Sequence, residues 1–254
     1  MTRISGTGIV AAPCCGAQYS QPRYASMNFS AREYWTDGWR EASLMPNDAG
    51  LRRCRCGRII TLGELVEIST ATCSDLPIID HVPDEDLPRC LAQTLDEDVE
   101  LAARRQLWWC LNHPYRKLYR GHRDAEDAAT RAAWEAANPD CRRWWDKVLR
   151  REPPRYVRQP GRPFTCPPFE PTAEQLGNLG RLAAMVCSWG VAADDAPARR
   201  VRGLELAELW REQGRFEDAE AALKAVDADG ADVTHKLVAG LIGERLAAPV
   251  RYML

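Results

Sequence analysis

The amino-acid sequence predicts an α+β protein, with a small β-rich unit at the N-terminus followed by a mainly α-helical region. Near the start, short apolar runs alternate with tight-turn signals, which is typical of short strands. From Thr94 onward, capping residues, helix stops and glycine turns recur as they do along a series of helices. The 254 residues, 45% hydrophobic and 28% charged, suit a globular protein and exclude wholesale disorder.

Charge and proline divide the chain into segments. The net charge of −2 hides an acidic block, 64–100, with one basic and eleven acidic residues, and a basic block, 101–163, with fifteen basic and seven acidic residues. Within one chain such blocks are expected to neutralise each other. The predicted segments are a β unit (1–68), an acidic connector (69–93), an Arg/Trp-rich helical region (94–152), a Pro-rich connector (153–171) and a second helical region (172–254).

The β unit contains a hairpin signal and a closing strand. Asp37-Gly38 lies between aromatic residues in 34–39, and glycine accepts the positive φ of a hairpin turn. Residues 58–62 predict a strand. The acidic connector lacks periodicity and contains prolines, so we expect a linker or surface loop there.

Helix starts and stops are readable in both helical regions. Thr94 with Glu97, and Thr172 with Gln175, each fit a capping box. The predicted helices cover 94–112 (ended by His113-Pro114), 124–137, a stretch starting at Asn138, 172–190, 197–213, 216–226 and 232–246. Seven prolines make 153–171 an extended connector, which we expect to pack on a helical surface through Tyr156, Phe164 and Phe169.

Four cysteines form the clearest chemical signal. Cys14-Cys15-Gly16 and Cys54-Arg55-Cys56-Gly57 are two cysteine pairs, each followed by glycine and separated by β-rich sequence. Thiolates suit tetrahedral Zn²⁺, and a β unit of this size gains stability from such a staple. We therefore predict a zinc-ribbon-like unit with one structural Zn²⁺ held by Cys14, Cys15, Cys54 and Cys56. A ribbon that has lost its metal is the alternative, because alanine stands at the first ligand position of a standard knuckle and only one residue separates Cys54 from Cys56.

The other cysteines and the histidines form no convincing site. Cys73, Cys90 and Cys166 lie in or beside the connectors, and Cys110, Cys141 and Cys187 fall in predicted helices. Cys110 and His113 have ligand spacing, but a core cysteine and a helix-capping histidine explain them better. Nucleophile elbows, phosphate loops and His-Glu-X-X-His helices are absent from the sequence, so no enzyme activity is predicted.

Residues 206–223 look like a tetratricopeptide repeat. In that repeat Gly214 would make the tight turn, Phe216 the aromatic wedge, and Ala219 the small residue at the helix crossing. Because this match covers about one repeat, any αα-hairpin is the alternative.

The whole chain resembles a family of uncharacterised bacterial proteins with a zinc-ribbon-like start and a tetratricopeptide-like end. The residues that carry the resemblance are Phe29, Tyr34 to Gly38, Met45-Pro46, Trp108-Trp109, Asn112, Arg116 and Asn178-Leu179. The family's knuckles are complete Cys-Pro-X-Cys motifs, from which this chain departs. The resemblance implies an architecture and no reaction.

Three functions are open on the sequence. We favour a non-catalytic adaptor that binds another protein through the C-terminal helices. The second is nucleic-acid binding by 101–163, where tryptophans are interleaved with basic residues. Nucleic-acid binding can be distinguished from the adaptor role by whether seven arginines form one exposed stripe. These are Arg116, Arg120, Arg123, Arg142, Arg143, Arg150 and Arg151. The third is a metal-dependent hydrolase, which requires His113 or His122 to approach the cysteines.

The sequence also predicts a cytoplasmic protein without membrane contact. The longest apolar run near the start, 9–12, is shorter than a membrane-spanning helix of about 20 residues. It is also shorter than a signal-peptide core of about 7–15 residues.

Overall fold

The computed structural model describes residues 2–27, 30–42, 50–140, 144–145, 149, 152, 155–157, 165–190, 195–226 and 233–252. Antiparallel strands precede helices, which confirms the predicted α+β class. The chain divides into two compact units, residues 1–112 with 170–254, and residues 113–169.

In the described ranges, the strands form three small antiparallel sheets with the orders β2-β1-β7, β4-β3-β9 and β6-β5-β8. Their bounds are β1 Arg3–Ala11, β2 Gln18–Ser26, β3 Glu33–Trp35, β4 Arg40–Glu41, β5 Leu51–Arg53, β6 Ile59–Thr61, β7 Val66–Ala71, β8 Asp80–His81 and β9 Arg251–Tyr252. The predicted hairpin is confirmed as β3–β4, with Gly38 at φ +79°. The predicted closing strand is β6.

The described residues form six α-helices. Their bounds are α1 Leu87–Leu91, α2 Glu97–Ala137, α3 Ala173–Ser188, α4 Ala196–Glu212, α5 Phe216–Lys224 and α6 Val233–Gly243. The capping box of Thr172 and Gln175 is confirmed at the start of α3. The four C-terminal helices therefore lie where capping and glycine signals predict them, with ends shifted by a few residues.

The predicted helix stop at His113-Pro114 is wrong, because α2 runs through Pro114 as one helix of 41 residues. Proline removes one backbone donor and disturbs the carbonyls of the preceding turn. Here the side chain of Gln175 donates a hydrogen bond from Nε2 to the carbonyl of Leu111 at 3.0 Å. A side chain distant in sequence therefore provides a hydrogen bond for a carbonyl in the turn before Pro114. The local sequence pattern gives no sign of this contact.

The start of α2 also differs from the prediction. Asp96, rather than Thr94, occupies the capping position, since its carbonyl accepts the first helical bond from Glu100 at 2.8 Å. Leu95 packs against a buried apolar cluster that includes Leu51 and Leu87.

The acidic connector is structured, which corrects the expected loop. It carries the end of β7, then β8, a 3₁₀ turn at Asp84–Asp86, and α1. Ile79, Val82 and Leu87 are buried within it. The acidic side chains between these buried residues face solvent. The segment therefore contributes to the core although its sequence is dominated by charge.

The helix pair α4–α5 turns at Gly214, where φ is +74°. Gly203, in the middle of α4, lies against Val226, just after α5. Because the chain reverses at Gly214 and the end of α5 returns to the middle of α4, the two helices are antiparallel. Ala219 is fully buried at this crossing, as predicted. Phe216, predicted as the aromatic wedge between the two helices, is only half-buried, which corrects that prediction. The guanidinium of Arg245 lies 4.8 Å from its ring centroid.

The C-terminal segment packs against the N-terminal hairpin. β9 pairs with β3, and Thr36 exchanges hydrogen bonds with the backbone of Val250 at 3.0 Å. Arg251 pairs with Glu33 at 2.8 Å. Residues 172–254 are therefore joined to the hairpin by strand pairing.

In the unit formed by residues 113–169, two aromatic contacts join the proline-rich segment to α2. Tyr115 meets Phe169 edge to face, with centroids 4.9 Å apart, and Trp134 meets Tyr156 at 5.8 Å. These contacts confirm the expected packing of Tyr156 and Phe169 on a helix. Phe164, most of the helix predicted from Asn138, and Phe29 and Met45-Pro46 of the resemblance lie outside the described residues.

Candidate metal centre

Two tight turns position the four predicted ligands. The turn between β1 and β2 closes with Ala12 N–H donating to Ala17 O and Gly16 N–H donating to Ala12 O, both at 2.9 Å. Gly16 has φ +70°, a conformation that costs glycine little. The sequence Cys14-Cys15-Gly16 is therefore held in a hairpin tip.

The second turn joins β5 to β6. Cys54 N–H donates to Arg58 O at 2.9 Å, and Gly57 N–H donates back to Cys54 O at 2.8 Å. Gly57 has φ +91°, again in the region that favours glycine. Both glycines after the cysteine pairs thus have the turn role that the sequence indicates.

The two turns bring the four sulfurs together. Cys14 Sγ lies 3.4 Å from Cys56 Sγ, Cys15 Sγ lies 3.4 Å from Cys54 Sγ, and the adjacent Cys14 and Cys15 sulfurs are 4.0 Å apart. All four lie within 4.8 Å of one another. Zinc–sulfur bonds of about 2.3 Å place the sulfurs of a tetrahedron about 3.8 Å apart. This cluster can therefore hold a metal ion, and the adjacent pair reaches one site despite its irregular spacing.

Tyr19 on β2 is a site residue that the sequence analysis missed. Its hydroxyl accepts a hydrogen bond from Arg55 N–H at 2.8 Å and lies 3.4 Å from Cys54 Sγ. Since its oxygen is already an acceptor, the hydroxyl proton is free to point at the sulfur. The only sequence signal is strand alternation, which places Tyr19 on the buried face of β2 opposite Val10.

The thiols have different pKa values because their surroundings differ. Burial, together with hydrogen bonds to the other cysteines, raises the pKa of Cys14 to about 12. Burial also raises the pKa of Cys54, but hydrogen bonds from Tyr19, from the Cys56 backbone and from the other thiols outweigh it and lower this pKa to about 6. Cys54 is therefore easier to deprotonate than Cys14, and metal binding requires the deprotonated thiolate.

A small apolar cluster lies beneath the sulfurs. It contains Val10, Ala12, Tyr19, Cys54, Ile60 and Ile79. Cys54 is itself buried, whereas Cys15 and Cys56 are exposed and Cys14 is half-buried. One side of the cluster is anchored in this core and the other faces solvent.

Within the part of the chain that the structure describes, the four cysteines are the only His, Cys, Asp or Glu group suited to a metal ion. Cys73 and Cys187 are exposed single thiols, Cys90 is buried, and Cys110 and Cys166 are half-buried. Cys141 lies outside the described residues. His113 lies inside α2, which corrects its expected place at a helix end.

A second polar cluster is fully buried, and sequence reasoning missed it. Glu212 accepts hydrogen bonds from Trp108 Nε1 at 2.8 Å and Asn112 Nδ2 at 3.0 Å, and Asn112 Nδ2 also donates to Asp37. Burial and the charges of Glu208 and Asp37 raise the pKa of Glu212 well above its ordinary value. The cluster connects the hairpin, α2 and α4, and we assign it a structural role.

Arg211 supports the same region. Its guanidinium pairs with Glu208 and donates to the carbonyls of Leu246 and Ala248. It therefore holds the C-terminal segment close to Thr36, whose hydroxyl lies 3.4 Å from Arg211 Nη2.

Within the described part of the basic block, the three arginines of the proposed stripe do not form an exposed, unpaired surface. Arg116 is 1% exposed, and Arg120 and Arg123 are half-buried with interaction partners. The other four arginines of the discriminator lie outside the described residues. Of the tryptophans in this block, Trp108 is buried, whereas Trp144 and Trp145 are each 58% exposed.

Among the described helices, none combines the length and the apolar character needed to cross a membrane. No protein-family model matches the chain, and comparison with curated proteins and with solved structures also gives no match. The bacterial family suggested by the sequence therefore stays a prediction, and the four-cysteine geometry is the main guide to function.

Proposed function

We propose that this chain is a non-catalytic, cytoplasmic interaction protein whose N-terminal unit is stabilised by one structural Zn²⁺. The observation that carries the proposal is the group of four cysteine sulfurs within 4.8 Å of one another. Thiolate ligands favour Zn²⁺ among the common divalent ions, and four of them complete its tetrahedron. Because a catalytic zinc keeps a coordination position for water, four sulfur ligands favour a structural role over a hydrolase.

The interaction role is supported by a groove between α5 and α6. The groove encloses about 520 Å³, and Phe216, Leu223 and Ile242 contribute its apolar lining. Its rim carries both charges, as the ion pairs Glu217–Arg245 and Glu220–Lys224. An apolar floor with a rim of mixed charge suits an amphipathic peptide helix of a partner protein.

Nucleic-acid binding is the weaker alternative. A duplex-binding surface displays several unpaired basic groups to phosphate. The burial of Arg116 and the partnered state of Arg120 and Arg123 remove three such groups from the described part of the basic block.

The interaction role is tested with the full chain, since β9 pairs with β3 and a C-terminal fragment would lose that strand. Ala239→Arg places a long charged side chain in the groove, and Ala221→Arg places the same side chain at an exposed position of α5 outside it. Proteins captured by the wild-type chain are identified by mass spectrometry, and one partner is purified. We expect Ala239→Arg to lose that partner and Ala221→Arg to retain it, with equal melting temperatures. Equal binding of the partner by both variants would exclude the groove as the binding site.

A further inference from the structure

We propose that the four cysteines are also an oxidation site, at which a hydroperoxide forms the disulfides Cys14–Cys56 and Cys15–Cys54 and releases the zinc ion. This inference rests on the proposed zinc site and adds a regulation to it. The structure carries it through the pairing of the sulfurs and their unequal exposure.

The pairing follows from the distances. Each thiol of one turn has its 3.4 Å neighbour in the other turn, while the two sulfurs within the first turn are 4.0 Å apart. A disulfide between Cys14 and Cys15 would also close a small ring through their shared peptide bond. The cross-turn bonds join two separate hairpin tips and need only a small approach of the sulfurs to bonding distance.

Exposure gives each pair an attacking and a resolving member. Cys56 is exposed and its neighbour Cys14 is half-buried, whereas Cys15 is exposed and its neighbour Cys54 is buried. Peroxide reaches the exposed thiolate first and forms a sulfenic acid, and the sheltered thiolate then displaces its oxygen to form the disulfide. A metal site enclosed on every side would lack this route.

The chemistry balances with hydrogen peroxide as the oxidant. Each pair of thiolates loses two electrons on forming its disulfide, and these electrons reduce one H₂O₂, with two protons, to two molecules of water. Two peroxides therefore convert the four zinc-bound thiolates into two disulfides, with uptake of four protons and release of one Zn²⁺ and four waters. Disulfide sulfurs are poor zinc ligands, because metal binding requires thiolate.

The oxidised unit is expected to stay folded. The two bridges would close loops of 39 and 42 residues, which restricts the unfolded chain in place of the metal. Oxidation would thus replace the zinc cross-link by two disulfide cross-links, and a thiol reductant would reverse this replacement.

The test is a peroxide titration of the zinc-loaded full chain. Released zinc is followed with a chromogenic chelator, and the product is alkylated, digested with trypsin and mapped by mass spectrometry. Cleavage after Arg55 separates Cys54 from Cys56, and fragmentation of the cross-linked peptides distinguishes Cys14 from Cys15. We expect about two peroxides per zinc released, both cross-turn disulfides, and recovery of zinc binding after reduction.

The double variant Cys73→Ser, Cys187→Ser is the matched control, because both thiols are exposed and lie outside the cluster. It should release zinc at the same peroxide dose as the wild type. A Cys14–Cys15 disulfide, sulfinic acids in place of disulfides, or zinc retained while Cys73 and Cys187 are oxidised would each overturn the inference. Mapping of the oxidised metal-free chain separates the two proposals, since it reports the pairing even if the purified chain carries no zinc.

Discussion

The cysteine-bearing hairpins and the C-terminal helices are stabilised in different ways. Among the described residues, five buried side chains pack with Cys54 beneath the sulfurs, whereas the core of the helical region contains fifteen buried residues, thirteen from the C-terminal helices and two from α2. A small β unit buries too little apolar surface to be stable alone. From this comparison we expect the hairpin tips to depend on a bound metal for their stability and the helices to depend on packing.

The largest expected effect is that of metal removal. A strong chelator should speed backbone hydrogen exchange in 12–19 and 51–60, because structural zinc contributes about 10–16 kcal/mol of binding energy in small domains. Exchange in α3 and α4 should stay slow, since their packing includes no metal. Equal exchange in the tips with and without chelator would contradict this difference.

The packing of the helices is tested at Gly203. A Cβ added there would collide with Cγ2 of Val226 at the crossing of α4 and α5, so Gly203→Ala should lower the free energy of unfolding by about 1–3 kcal/mol. Gly177→Ala is the control, because its added methyl group would meet no atom within 4 Å apart from its chain neighbours and the backbone of its own helix. At that exposed helical position alanine should stabilise the chain by about 1 kcal/mol. Equal urea midpoints for the two variants would argue against a tight crossing.

The hydroxyl of Tyr19 should affect the affinity for zinc more than the fold of the chain. Tyr19→Phe removes a hydrogen bond to Cys54, and loss of such a supporting contact weakens metal binding by about 10–100-fold. Tyr24→Phe, near the far end of the same strand, should leave zinc affinity unchanged. Competition with a chelator of known affinity measures both. A wild-type zinc affinity in Tyr19→Phe would contradict a role of Tyr19 in the metal site.

The buried Glu212 predicts a pH dependence of stability. Folding raises its pKa above the ordinary 4.5, so the folded chain keeps a proton that the unfolded chain loses. Stability should therefore fall as the pH rises from 4.5 towards the folded pKa. Glu212→Gln cannot ionise, and it should become progressively more stable than the wild type over that range. Urea midpoints from pH 5 to 8 measure this, with exposed Glu220→Gln as the charge control; parallel curves for Glu212→Gln and the wild type would contradict it.

Local signals in the sequence predict much of this fold. Glycines at Gly16, Gly38 and Gly214 mark real turns, and the four cysteines predicted as ligands do come together. These predictions succeed because a turn or a cap depends on a few neighbouring residues.

The failures involve contacts between distant residues. Helix α2 passes Pro114 with a hydrogen bond from Gln175, and Glu212 is buried beneath Trp108 although glutamate is usually solvated. Tyr19 reaches Cys54 across 35 residues. No periodicity reports such contacts, so the continuous helix, the buried acids and the supporting tyrosine could not be predicted.

The most direct test of the central claim is the zinc content of the full chain, purified without added metal or chelator and measured by elemental analysis. One zinc per chain, lost in Cys54→Ser and retained in Cys73→Ser, is the predicted result. Less than about 0.3 zinc per chain in the wild type, or zinc that persists in Cys54→Ser at wild-type level, would contradict a four-cysteine zinc site.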